Sequence, residues 1–130
     1  MCGIAGRWVP VPGSGSLGRG HVLWADDSML PVLMHRRGPD AYVHVYADRD
    51  RQQLAHSRLK IIDVSEGGAQ PMHLGDCALI FNGEIYNYRE LRAMMQLQGE
   101  VFTSQSDTEV LLRVLVREGI SGLSRCEGMW

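Results

Sequence analysis

The order of two periodicities limits the folds open to this chain. Strand-like segments fill most of the sequence as far as Ile85, and two amphipathic helical patterns follow close together. Strands grouped first and helices grouped after them predict an α+β domain, with antiparallel sheets flanked by helices. Residues 2–9 alternate weakly around Ile4, Trp8 and Val9 and predict a first strand. Pro10-Val11-Pro12-Gly13-Ser14-Gly15-Ser16 breaks any regular element. From His21 to Met34 apolar residues recur at helical steps, and Pro31 predicts a helix that starts late or breaks there. Arg37-Gly38-Pro39-Asp40 reads as a turn that shapes a pocket wall. Tyr42–Tyr46 and Gln53–Ser57 read as strands around the polar turn Asp48-Arg49-Asp50-Arg51, and Leu59–Val64 continues extended. Glu66-Gly67-Gly68 is a loop, and Cys77–Phe81 reads as a buried strand ending in Asn82-Gly83. Asn87–Leu97 is amphipathic, with Tyr88, Leu91, Met94 and Met95 on one face. A last helix follows Ser106 or Asp107 as its cap, with Val110, Leu111, Val114 and Leu115 on its apolar side.

The bulk numbers exclude several classes of function. A chain of 130 residues supports one domain with one modest core. A net charge of −2 gives no basic field for nucleic acid and no polybasic patch for a membrane surface. No apolar run approaches the roughly 20 residues that span a bilayer, and the N-terminus lacks the layout of a signal peptide. The three cysteines, Cys2, Cys77 and Cys126, are odd in number and widely spaced, which fits neither a disulfide framework nor a zinc site. A reducing, cytoplasmic setting is expected for thiols that stay free. The five histidines show no metal-ligand spacing and read as surface or core residues.

Cys2 stands directly behind the initiator methionine. Cysteine is small enough for Met1 to be removed, which leaves a thiol and an α-amine on one residue. The thiolate is the attacking species in cysteine chemistry, and a base must take its proton. An α-amine with an ordinary pKa of roughly 7.7–8.0 accepts a proton near neutral pH, against about 8.5 for the thiol. One residue then supplies both nucleophile and base for cleaving an amide. Taken by itself, Cys2 reads as a small apolar residue opening a strand.

Five segments in order change that balance: Met1-Cys2-Gly3-Ile4, Arg37-Gly38-Pro39-Asp40, His56–Asp63 (His-Ser-Arg-Leu-Lys-Ile-Ile-Asp), Asn82–Asn87 (Asn-Gly-Glu-Ile-Tyr-Asn) and Ser106-Asp107-Thr108-Glu109. Together they resemble the glutamine-hydrolysing domain of asparagine synthetase-type enzymes, within the class II glutamine amidotransferases. The likeness runs from residue 1 almost to the end of the chain, and five ordered motifs are far more specific than one. The resemblance implies an N-terminal nucleophile hydrolase-like fold and glutamine as substrate. It implies Cys2 as nucleophile. Asn82 and Gly83 would form the oxyanion hole, an amide donor beside an unobstructed backbone N–H. Arg58 would take the α-carboxylate of glutamine and Asp107, with Glu84 close by, its α-ammonium. The main chain of Arg58, Leu59, Lys60, Ile61 and Ile62 would line the same pocket. Read one at a time, Asn82-Gly83 is a tight turn, Arg58 a solvated strand charge and Asp107 a helix cap.

No metal or organic cofactor is expected for glutamine hydrolysis. ATP and magnesium are expected only for a synthetase domain, which this sequence does not contain. That domain or subunit would receive the ammonia, and the resemblance also allows a homodimer. Arg36 stands where the family usually shows His before Arg-Gly-Pro-Asp. Gly128-Met129-Trp130 resembles the start of a strand that family members continue, so an incomplete domain is expected, lacking C-terminal strands and inactive in isolation. The alternative is a truncated, non-catalytic remnant acting as a binding or interaction module.

Overall fold

The computed structural model describes residues 2–8, 29–47 and 52–130. Val9, the predicted break over 10–16, the first part of the predicted helix over 21–28 and the turn at 48–51 lie outside these residues. Strands β1 (Gly3–Trp8), β2 (Ala41–Ala47) and β3 (Gln52–Arg58) form an antiparallel sheet in the order β1-β3-β2. The register pairs Gly3 with Ser57 and Ala41 with Arg58. β3 lies in the middle and is buried on both faces, so Gln53, Ala55, His56, Ser57 and Arg58 are all inaccessible. The alternation expected of a half-exposed strand is lost there for that reason.

Helix α1 (Leu30–Met34) carries Pro31 in its first turn, where a missing N–H breaks no helical bond. The described part of the predicted helix is Leu30–Met34, with the proline at its start. Only Met34 of α1 is buried. The Ser57 hydroxyl lies 2.9 Å from the Met34 carbonyl oxygen and 2.5 Å from that of Gly38. A Cβ at Gly38 would collide with the Ser57 carbonyl, so the turn after α1 touches β3 backbone to backbone.

Strands β4 (Met72–Leu74) and β5 (Cys77–Leu79) make a hairpin turned at Gly75, whose φ is +57°. The buried strand predicted over Cys77–Phe81 is corrected here. It ends at Leu79, and Cys77 and Ala78 are exposed. Leu79 packs against the core while partly buried, and Phe81, beyond the strand, is buried in it. The stretch Leu59–Val64 is irregular and bent rather than extended, and Glu66–Gly68 is one turn of 3-10 helix. β6 (Glu84–Ile85) pairs with β7 (Gly128–Met129).

Helices α2 (Tyr88–Leu97) and α3 (Asp107–Glu118) cover the core cluster of Phe81, Ile85, Leu91, Met95, Val110, Leu111, Val114 and Cys126. Met94 was expected on the buried face but is exposed, and Arg92 is buried instead. Arg92 donates to the carbonyls of Ser104 and Ser106 at 2.6 and 3.1 Å and stacks over Phe102. Arg113 stacks over the same ring, 4.6 Å from its centroid. Ser106 rather than Asp107 caps α3, its hydroxyl accepting from Thr108 N at 3.1 Å. No helix among the described residues is long and apolar enough to cross a membrane.

Leu91 is 2% exposed at the α2–α3 contact, whereas Leu97 on the same helix is 90% exposed. Leu91→Ala is expected to lower the unfolding free energy by about 2–5 kcal/mol. Leu97→Ala should stay within about 0.5 kcal/mol of the parent. Urea unfolding of both variants, compared at constant m-value, checks the pair.

Candidate active site

The sheet register places the beginning of β1 against the end of β3. Gly3 faces Ser57, so Cys2 comes opposite Arg58, and alternation puts Cys2, Ile4, His56 and Arg58 on one face. Leu59 N donates to Cys2 Sγ at 3.3 Å, which ties the sulfur to the chain leaving β3. Arg37 Nε donates to the Cys2 carbonyl at 3.4 Å. Asp40 fixes the same corner twice. Its N–H donates to the Arg58 carbonyl at 3.0 Å, and its Oδ2 accepts from Lys60 N at 2.8 Å.

A cavity of about 120 Å³ opens at this corner. It is lined by Cys2, Arg58, Leu59, Ile61, Ile62, Asn82, Gly83, Glu84 and Asp107, all of which sequence reasoning placed in one site. Lys60 is not among the lining residues; its ammonium pairs with Glu66 at 3.0 Å, outside the cavity. The turn Arg37–Asp40 does not line it either. It shapes the site from behind, through Cys2, β3 and Lys60. Asp63, Gly68, Gln70, Phe81, Ser106, Thr108 and Met129 complete the lining. Asp63, Ser106 and Thr108 fall inside quoted motifs, but Gln70 carries no local signal. Its Oε1 accepts from Phe81 N at 2.6 Å and its Nε2 donates to Thr108 Oγ1 at 3.2 Å, across gaps no short motif spans.

Arg58 is buried, and its Nη2 donates to the carbonyls of Asp63 and Ser65 at 2.5 and 2.9 Å. Its Nη1 is buried without a partner among the described residues. A buried unpaired donor costs roughly 1–3 kcal/mol, more when charged, unless something supplies an acceptor. An anion entering the cavity would do so.

Asp107 is 5% exposed, the first residue of α3. Its Oδ2 accepts from Ile85 N at 3.0 Å and its Oδ1 lies 3.4 Å from the Ser106 hydroxyl. Among the described residues no cation pairs with it. The cavity therefore joins a sulfur, an under-used guanidinium and an uncompensated carboxylate. Gly83 is locked by close contact. A Cβ there would collide with the Met129 carbonyl and lie 2.7 Å from Phe81 Cζ. Asn82 and Gly83 lie between β5 and β6, which do not pair with each other, so they form no hairpin turn.

His56 sits on the same strand, 1% exposed, with Nε2 unpartnered. Burial, and then the neighbouring Arg58 charge, push its pKa down to about 4, so the ring is neutral at pH 7. The Asp63 carboxyl is pulled below its ordinary value, chiefly by the Ser65 hydroxyl, against the opposing effect of burial. Burial pushes Glu109 up, but the Ser104 hydroxyl, the N–H groups of Thr103 and Ser104, and Arg113 together bring it below the usual range.

These shifts make the fold acid-sensitive in two ranges. The unfolded chain takes up a proton at His56 below about pH 6.5 that the folded chain resists until about 4. Stability from His56 is thus present at pH 7 and lost as pH falls through that window. The carboxylate part is lost lower, as Asp63 and Glu109 protonate. Urea midpoints should fall between pH 6.5 and 5, and His56→Gln should flatten that part of the profile while leaving the steeper loss at lower pH.

A family model described as a glutamine amidotransferase domain matches residues 1–130. A glutamine-hydrolysing asparagine synthetase of Bacillus subtilis (strain 168) is 36% identical over 132 residues, covering 100% of this chain and 20% of that protein. Asparagine synthetase B of Escherichia coli (strain K12), also glutamine-hydrolysing, is 41% identical over 103 residues, 78% of this chain and 18% of that protein. The amidase chry2 of Gibberella zeae is 34% identical over 139 residues, 98% of this chain and 20% of that protein. The chain spans about a fifth of the length of these curated relatives.

Proposed function

The chain belongs to the glutamine amidotransferase domain family, and from that premise we propose that it is a glutaminase unit that releases ammonia from glutamine through Cys2. One observation carries the reading. Cys2, a guanidinium whose Nη1 has no partner among the described residues, and a buried carboxylate with no described cation beside it line the same cavity. A free amino acid with a side-chain amide presents the complementary groups: a carboxylate for Arg58, an ammonium for Asp107 and an amide carbon for the sulfur.

The reaction follows from those roles. Removal of Met1 frees the α-amine of Cys2, which takes the thiol proton directly or through a water. The thiolate adds to the side-chain carbonyl carbon of glutamine, and the carbonyl π electrons move to oxygen. The Asn82 amide and the Gly83 N–H donate to that oxyanion, and loss of one such donor commonly costs about 2.7–4 kcal/mol. The C–N bond breaks, the departing nitrogen takes the proton from the α-ammonium, and ammonia leaves a thioester on Cys2. A water, deprotonated by the same amine, cleaves the thioester to glutamate and regenerates the thiol. None of these steps calls on a metal or an organic cofactor.

We assign residues 1–130 to a type 2 glutamine amidotransferase domain with an N-terminal nucleophile hydrolase architecture. Ammonia acceptance, with its ATP and magnesium, belongs in this reading to a synthetase domain or subunit formed by other residues. The groups lining the cavity address glutamine alone. Similarity to both asparagine synthetases and amidases is in keeping with a unit whose acceptor is chosen elsewhere.

Replacing Cys2 by Ala should reduce glutamate release from glutamine by roughly 10³-fold or more while thermal unfolding changes little. Intact-mass measurement should find Met1 absent in the active protein. Wild-type turnover in Cys2→Ala, or full activity with Met1 retained, rejects the mechanism. Arg58→Lys keeps the charge but loses the planar fork, so KM for glutamine should rise about tenfold or more with a smaller change in kcat.

A further inference from the structure

Arg58 ends β3 and Asp107 begins α3, and the two stand far apart in sequence. The geometry points to Asp63 as the positioning residue that sets the span between them, and so the selectivity for a ligand bearing both a carboxylate and an ammonium. This rests on the glutaminase reading above.

Three acceptor atoms of Asp63 are engaged, each by a different part of the site. Its carbonyl oxygen receives Arg58 Nη2 at 2.5 Å, on the guanidinium whose Nη1 is unpaired. Its Oδ1 receives Ser65 N at 2.9 Å and the Ser65 hydroxyl at 2.6 Å, and the Ser65 carbonyl in turn receives Arg58 Nη2 at 2.9 Å. Its Oδ2 receives Gln105 N at 2.9 Å, one residue before the α3 cap and two before Asp107. One side chain thus joins the loop that grips the guanidinium to the segment that presents the carboxylate. Gly68 packs against the same knot, where an added Cβ would lie 2.5 Å from Arg58 Nη2 and 3.0 Å from the Asp63 carbonyl oxygen. A brace so placed matters most to a ligand held at both ends. A ligand held only by its carboxylate is indifferent to where Asp107 stands.

Asp63→Asn tests this in the complete protein. The amide keeps one acceptor oxygen and turns an N–H₂ donor toward either Gln105 N or the Ser65 donors, so one of the two connections must break. Gln105→Pro removes the N–H given to Asp63 Oδ2 and leaves Asp63 itself intact, at an exposed position before the helix cap. Hydrolysis of glutamine is compared with that of glutaramate, which keeps the carboxylate and amide but lacks the α-ammonium.

For each variant KM for glutamine should rise about tenfold with kcat within roughly threefold. Values for glutaramate should hold, so the preference for glutamine narrows about tenfold. Should Asp63→Asn fail to fold, Gln105→Pro carries the comparison by itself. A folded variant that keeps the parent's preference, or loses both substrates in equal proportion, overturns the positioning role. A parent protein that ignores glutamine overturns the glutaminase reading and this inference with it, which keeps the two failures distinct.

Discussion

The site depends on carboxylates that accept peptide N–H groups where no strand or helix can. Asp40 takes Lys60 N, Asp63 takes Ser65 N and Gln105 N, Asp107 takes Ile85 N, and Glu109 takes Thr103 N and Ser104 N. Each of these N–H groups lies in or beside an irregular stretch around the cavity. A buried N–H without a partner costs about as much as a lost hydrogen bond, so a site built from loops needs acceptors from side chains. Charged acceptors make the stronger bonds, roughly 1.5–3 kcal/mol each. The cost is a group of anions that need balance. Arg113 supplies it for Glu109 at 3.0 Å, and for Asp107 no described cation does.

The same logic explains why an arginine replaces a methionine on the buried side of α2. The strand-free stretch from Glu100 to Ser106 exposes carbonyls toward the helices. Arg92 takes those of Ser104 and Ser106, and Arg113 takes that of Val101 at 2.5 Å. Phe102 lies between the two guanidinium groups, 4.5 and 4.6 Å from its ring centroid. Cation–π attraction grows as the cation loses water, so two buried guanidinium groups gain from this ring. The result is a rigid approach to Ser106 and Asp107, which stand where that stretch becomes α3.

Much of this was readable in advance, and the parts that were not share a cause. The three strands of the first sheet and α2 follow from side-chain period and lie within a residue or two of their observed ends, and the start of α3 follows from its cap. The predicted site residues, which meet at the cavity with Lys60 excepted, lie in the motifs that carry the family resemblance. What local pattern missed is decided by contacts distant in sequence. Cys77 and Ala78 look buried by composition, but their hairpin offers them no covering partner. Arg92 looks exposed by composition, but carbonyls twelve and fourteen residues away neutralise its burial. Gln70 carries no signature because its role, holding Phe81 and Thr108 at once, exists only after folding. The pairing of Glu84 with Met129 is of the same kind, and it needs Gly128, where a Cβ would collide with the Glu84 carbonyl.

The two incompletely satisfied charges share one physical consequence. Among the described residues Arg58 Nη1 lacks an acceptor and the Asp107 carboxylate lacks a cation, within one small cavity. They do not cancel each other, since no ion pair joins them. Each is held by backbone bonds: Arg58 Nη2 donates to the carbonyls of Asp63 and Ser65, and Asp107 Oδ2 accepts from Ile85 N. The fold therefore keeps apart two opposite charges that gain when a third body bridges them. A neutral amide offers neither charge, and a simple anion satisfies one end while leaving the other buried and bare. On the proposed reading a zwitterion of the correct length would satisfy both, and the energy withheld in folding would become discrimination in binding. The selectivity of such a site is set by the stiffness of the frame more than by the number of contacts, because a frame that yields would let either charge find a nearer partner.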